Sequence, residues 1–87
     1  MTLNFPNRSR SYDATRRAVR FWGYDGALEV SFFVDDDALL RISSAADHGE
    51  ASLLTSFDAN RDRILQSARK VYSRRRLGSY VLGSSDL

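Results

Sequence analysis

Ala18-Val19-Arg20-Phe21-Trp22-Gly23-Tyr24-Asp25-Gly26-Ala27-Leu28-Glu29-Val30-Ser31-Phe32-Phe33-Val34 is the stretch that decides the fold. Two runs rich in β-branched and aromatic residues flank Asp25-Gly26, the dipeptide favoured in two-residue hairpin turns of type I′. With Tyr24 opposite Ala27, Phe21 faces Val30, Val19 faces Phe32 and Gly23 faces Leu28. Side chains alternate between the faces of a strand, so this pairing sorts them into two sets. Val19, Phe21, Leu28, Val30 and Phe32 form an apolar inner face; Arg20, Trp22, Tyr24, Glu29, Ser31 and Phe33 form the outer face. Gly23 leaves room for a packed helix or permits local twist.

The inner face needs a cover, and the chain that follows supplies it. Asp35 stands where a helix cap is expected, with Asp36 and Asp37 in the first turn of a short helix carrying Leu39, Leu40 and Ile42. After a connector, a second helix is expected from about Glu50 to Ser73. Asp47 and Glu50 resemble a capping box at its start. Leu53, Phe57, Ile64, Ala68 and Val71 fall on one helical stripe, flanked by Leu54, Leu65 and Tyr72. With no Pro or Gly inside, this rod would be roughly 35 Å long. Leu3-Asn4-Phe5, halted by Pro6, reads as an edge strand, 7–15 as a loop, and Ser79-Tyr80-Val81-Leu82 as a last strand before a tail from Gly83. The expected fold is α+β and two-layered. A small antiparallel sheet in β-β-β-α-α-β order carries one short and one long helix packed on one face, all in a single domain over 1–87.

Composition narrows the chemistry. The 87 residues include no cysteine, which excludes disulfides and thiolate chemistry from this chain. No run approaches the ~20 apolar residues of a membrane span, and the N-terminus has no basic segment followed by an apolar one, so a cytoplasmic location is expected. Twelve of the thirteen cations are Arg. Residues 1–34 carry five Arg against three acids, 35–58 one Arg against six acids, and 59–87 seven cations against two acids. A net charge of +2 therefore hides a basic–acidic–basic pattern, which can steer an anionic partner or make the fold electrostatically self-complementary.

Three features together carry a family resemblance. They are Leu3-x-Phe5-Pro6, the segment Ala18-Val19-Arg20-Phe21 before the hairpin turn, and Phe57-x-x-Asn60-Arg61-x-x-Ile64-x-x-x-Ala68. With them the chain resembles the small bacterial proteins of domain of unknown function family 1488, over nearly its whole length. The resemblance implies a small α+β fold and brings no activity, cofactor or catalytic residue.

Few residues invite chemistry. His48 is the only histidine and falls in a polar connector. Asp35, Asp36 and Asp37 diverge from a helix start instead of converging on a cation. The five glycines form no phosphate-binding motif. No catalytic, metal or cofactor residue is expected, and no enzymatic activity. Asn60, near the apolar stripe, reads as a structural hydrogen-bonding residue. Arg16, Arg17 and Arg20 gather near Trp22 and Tyr24, and Arg69, Lys70, Arg74, Arg75 and Arg76 beside Tyr72. Arginine among aromatics suits single-stranded nucleic acid, and cations at a helix C-terminus also suit the helix dipole. Arg20, Trp22, Tyr24 and Phe33 on the outer face suit a protein partner, including a second copy. That interaction role is the leading reading, with weak nucleic-acid binding as the alternative.

Overall fold

The computed structural model describes residues 3–43, 47, 49–74 and 79–87; His48, Arg75 and Arg76 lie outside them. The elements run β1 (Leu3–Asn4), β2 (Ser11–Asp13), β3 (Ala18–Asp25), β4 (Leu28–Asp35), α1 (Asp36–Ile42), α2 (Glu50–Ala59), α3 (Arg61–Arg74) and β5 (Ser79–Leu82), then a 3-10 turn at Ser84–Asp86. The sheet order is β1-β3-β4-β5, with β2 also on β3. β1 lies beside the Tyr24–Asp25 end of β3 and β2 beside its Ala18–Arg20 end. The architecture is the expected α+β, with helices against a small sheet.

The hairpin forms in a register two residues away from the one expected. Phe21 faces Phe32, Val19 faces Val34, Gly23 faces Val30 and Asp25 faces Leu28. The turn is therefore Gly26-Ala27, not Asp25-Gly26. Gly26 has φ +62° and Ala27 stays out of the left-handed region, which is the type II′ pattern with Gly first. Asp25 stays in the strand, where its carboxylate accepts the Tyr72 hydroxyl at 2.5 Å. A two-residue shift preserves the side-chain sorting. Val19, Phe21, Val30 and Phe32 are buried as expected, whereas Leu28, at the strand end, is 62% exposed.

Other departures have local causes. Part of the expected loop, Ser11–Asp13, forms β2. Asp35 occupies the cap position of α1 without a side-chain cap bond. Arg17 does that work: its carbonyl accepts the Asp36 N–H at 3.0 Å, from a backbone held at φ 51°. α2 starts at Glu50, but Gly49 is its cap, and Asp47 Oδ1 accepts the Gly49 N–H at 2.8 Å, so no Asp47–Glu50 capping box forms. The single long rod is broken at Asn60. Its backbone leaves helical geometry (φ −114°, ψ 18°), and its Nδ2 donates to the Ser56 carbonyl at 2.9 Å. The amide thus has the structural role expected of it and also ends α2. The break lets the stripe follow the twisted sheet: Leu53 and Phe57 are buried from α2, and Ile64, Ala68 and Tyr72 from α3. Finally, β5 lies parallel to β4, because the three helices carry the chain back before it re-enters the sheet.

The core is an aromatic row laid across the sheet. Phe21 stacks on Phe32 (centroids 5.3 Å, 17° between planes) and Phe32 on Tyr80 (5.2 Å, 20°). Phe5 closes one end, tilted at 5.7–6.0 Å against Phe32 and Phe21. From above, Phe57 meets Phe21 at 5.1 Å and Tyr72 meets Tyr80 at 5.7 Å. Each fully buried ring contributes ~1.5–3 kcal/mol from burial and each ring pair ~0.5–1.5 kcal/mol more. Exposed ion pairs contribute ~1 kcal/mol at most, so the row dominates.

Gly23 lies under Phe5. A Cβ there would stand 2.8 Å from the Phe5 ring and 2.8 Å from the Asn4 carbonyl. The space that Gly23 leaves is thus filled by the N-terminal segment, not by a helix. At the α2–α3 corner, Arg10 grips Asp58 with two bonds of 2.8 and 2.9 Å. Arg61, 7% exposed, donates to the Arg8 carbonyl at 2.7 Å and to Asp58 at 3.2 Å. The Arg10 hydrogen bonds, helped by Arg61, hold the Asp58 carboxyl below its ordinary range.

Two outcomes follow from these contacts. Gly23→Ala should cost about 1–3 kcal/mol in urea denaturation and release amide protection at Leu3 and Asn4 in hydrogen exchange. Because Asp58 is acidified by folding, its contribution is complete above the unfolded value of about 3.9 and is lost as pH falls through the folded value. Stability of wild type over Asp58→Asn should therefore be constant near neutrality and vanish in acid. Its size should be about 1 kcal/mol or less, since a carboxylate 43% exposed is well screened.

Candidate functional site

Alternation that buries one sheet face must present the other. The cross-strand rows of the outer face are Ser11–Arg20–Phe33–Val81, Trp22–Ser31–Ser79, and Asn4–Tyr24–Glu29. None of these residues belongs to the core cluster shared by helices and sheet. Of the described N-terminal segment, Phe5 packs on the inner side and not on this face.

The proposed contact residues are differently placed on it. Arg20 lays its guanidinium over Trp22 at 4.9 Å and ties itself to Ser31 Oγ at 3.0 Å. Trp22 and Tyr24 are half-buried. The Tyr24 hydroxyl reaches Glu29 at 3.4 Å. Phe33 is only 7% exposed, under the Arg16 guanidinium at 4.3 Å. The accessible apolar side chain in its row is Val81, 55% exposed, which sequence reading left unassigned. Its signal was the alternation of Tyr80-Val81-Leu82: two buried residues bracket one that points away.

Among the described residues, the arginine clusters do not share a surface. Arg16 and Arg17 stand at the β2–β3 turn, where with Asp35, Asp36 and Asp37 they line a depression of about 210 Å³. Arg16 also pairs with Asp13. Arg69 lies at the hairpin-turn end, over the Phe5 ring at 5.1 Å. There it lines an open groove of about 800 Å³ with Asn4, Phe5, Pro6, Tyr24 and Gly26. Lys70 and Arg74 are exposed on α3. The length of β3, roughly 23 Å at strand rise, separates the two groups. Arg16, Arg20, Arg61 and Arg69 each cover an aromatic ring, which gives them an internal role through cation–π contact.

The acidic corner is tightly built. Asp36, 7% exposed, accepts the Tyr12 hydroxyl at 2.8 Å. That bond to a carboxylate, with burial, raises the Tyr12 hydroxyl above the ordinary phenol value. Burial, then the carboxylates of Asp37, Asp36 and Asp86, pushes Asp35 up. Among the described residues, no group of three or more His, Cys, Asp or Glu is arranged to hold a metal ion. Nor is any described helix long and apolar enough to cross a membrane.

Comparison with known proteins gives a family and no activity. No curated protein matches the chain. Among solved structures, the chain is similar to a protein of unknown function from the DUF1488 family of Shewanella loihica PV-4. The TM-score is 0.82 at 14% identity, over 93% of this chain and 91% of that one; this likeness is one of fold. The family model described as protein of unknown function (DUF1488) matches residues 3–82. The chain belongs to the DUF1488 family.

Proposed function

We propose that this chain is a non-enzymatic, cytoplasmic interaction module that recognises a protein through the outer face of its sheet. The observation that carries this reading is the Arg20–Trp22 pair on a sheet face with no helix layer, flanked by Tyr24 and the exposed Val81. Trp, Tyr and Arg dominate the energetics of protein interfaces: the rings bury a large area at low conformational cost and keep a polar handle, and Arg offers a planar fork of donors. Arg20, already held by Ser31 and stacked on Trp22, loses little freedom on binding.

Weak nucleic-acid binding by Arg16, Arg17, Arg69, Lys70, Arg74, Arg75 and Arg76 is the weaker reading. Its described members stand at opposite ends of the sheet, and Arg16 and Arg17 share their end with three aspartates.

The test uses the chain as bait. Proteins retained by wild type should be lost with Trp22→Ala, at a cost of about 2 kcal/mol or more in affinity, and kept by Arg63→Ala on the helical side. Circular dichroism should show all three chains folded. Trp22 is the only tryptophan, so its emission should shift to the blue when an isolated partner is added. Identical retention by wild type and Trp22→Ala defeats the proposal.

A further inference from the structure

We propose that a second copy of this chain pairs with the first along β5, antiparallel across a two-fold axis at Val81, so that two sheets become one. The inference goes beyond the reading above: its contact is the β5 edge of the sheet, not the Arg20–Trp22 pair on β3.

The edge itself comes first. Among the described residues β5 has a strand on one side only. Ser79–Leu82 contains no charge, Pro or Gly, the residues by which sheet edges are ordinarily guarded against pairing. The chain beyond β5 does not return as a strand on that edge. Its 3-10 turn packs against α1, and Arg63 of α3 donates to the Leu87 carbonyl at 2.9 Å.

The side chains restrict the register to those that keep like faces together, and the exposed valine chooses among them. Directly opposed residues of an antiparallel pair project to the same face. Tyr80 and Leu82 are buried on the inner side, and Val81 is 55% exposed on the outer. Pairing Val81 with its own copy sets Tyr80 against Leu82 and keeps both cores on one side. A shift by one residue would bring outer against inner. In the chosen register the exposed valine packs on its counterpart.

Charge selects the orientation. β5 ends beside carboxylates: Asp86 Oδ2 accepts the Gly83 N–H at 2.9 Å, and a Cβ on Gly83 would lie 3.9 Å from Asp35 Oδ2. Arg16 and Arg17 approach Asp35 from the β3 side, across β4 from this edge. β5 is preceded by cations, with Lys70 and Arg74 exposed at the end of α3. An antiparallel two-fold contact brings each acidic end to the other copy's basic end, twice by symmetry. A parallel contact would set like against like.

The natural chain has no cysteine, so Val81→Cys introduces a lone thiol. Opposed Cα atoms in an antiparallel pair are ~4.5–5.5 Å apart, within reach of a disulfide. Mild oxidation should convert Val81→Cys to a covalent dimer, well ahead of Leu28→Cys, which is also exposed but at the hairpin turn. In sedimentation equilibrium the wild type should dimerise, weakened about tenfold or more by Val81→Lys and further by added salt. The monomer's thermal midpoint should be unchanged by Val81→Lys. Monomer at all concentrations, or equal crosslinking of the two cysteine variants, overturns the proposal. Self-association lost with Trp22→Ala but kept by Val81→Lys overturns the edge pairing and leaves the outer-face reading standing. A Val81-dependent dimer without any Trp22-dependent binding does the reverse.

Discussion

The Phe21–Phe32 stack is the contact on which the other elements depend. It joins the two central strands at directly opposed positions and passes through Phe32 to Tyr80 on the last strand. Phe5 and Phe57 close on the same rings from the N-terminus and from α2. A chain of 87 residues without disulfides has little apolar surface to commit. Concentrating it in one row satisfies five elements with one set of rings. The turn register follows from this: with Phe21 opposite Phe32, the loop is left as Gly26-Ala27, and Asp25 falls where Tyr72 can reach it.

Much of this was legible in the residues. The inner and outer sets of the hairpin could be read from alternation alone, since period two survives a register error of two. The register could not, because two competing turn chemistries overlap at Gly26. Asp25-Gly26 satisfies one, and Gly26-Ala27 the other. The choice rests on Phe21–Phe32 and Tyr72–Asp25, contacts that no local pattern displays. The helical stripe was visible, but its break was hidden because neither Gly nor Pro marks it. Asn60 after Phe57, with Asp62 next in line for a new first turn, was the available signal. β2 was hidden for a different reason: three mostly polar residues can pair when a neighbouring strand offers an edge.

The site was less legible than the fold. Arginines that read as a possible anion surface turn out to cover rings: Arg16 over Phe33, Arg20 over Trp22, Arg69 over Phe5. Spacing along a chain cannot distinguish a guanidinium aimed at solvent from one stacked on a ring brought from elsewhere. Phe33 was placed on the correct face, yet its burial depends on Arg16 reaching over from the turn before β3. Val81 owes its exposure to alternation, since Tyr80 and Leu82 on either side of it are buried, but that pattern could be used only once Ser79–Leu82 had a known inner face.

That return also has a consequence for how the protein is made. β5 is translated after all three helices, and its partner β4 lies more than forty residues upstream. A growing chain can form the hairpin early, but the β4 side of the aromatic row stays open until Tyr80 leaves the ribosome. Non-local pairing of this kind slows folding and prolongs exposure of an unpaired strand. The helices, synthesised in between, can shelter the rings while the sheet waits for its final member.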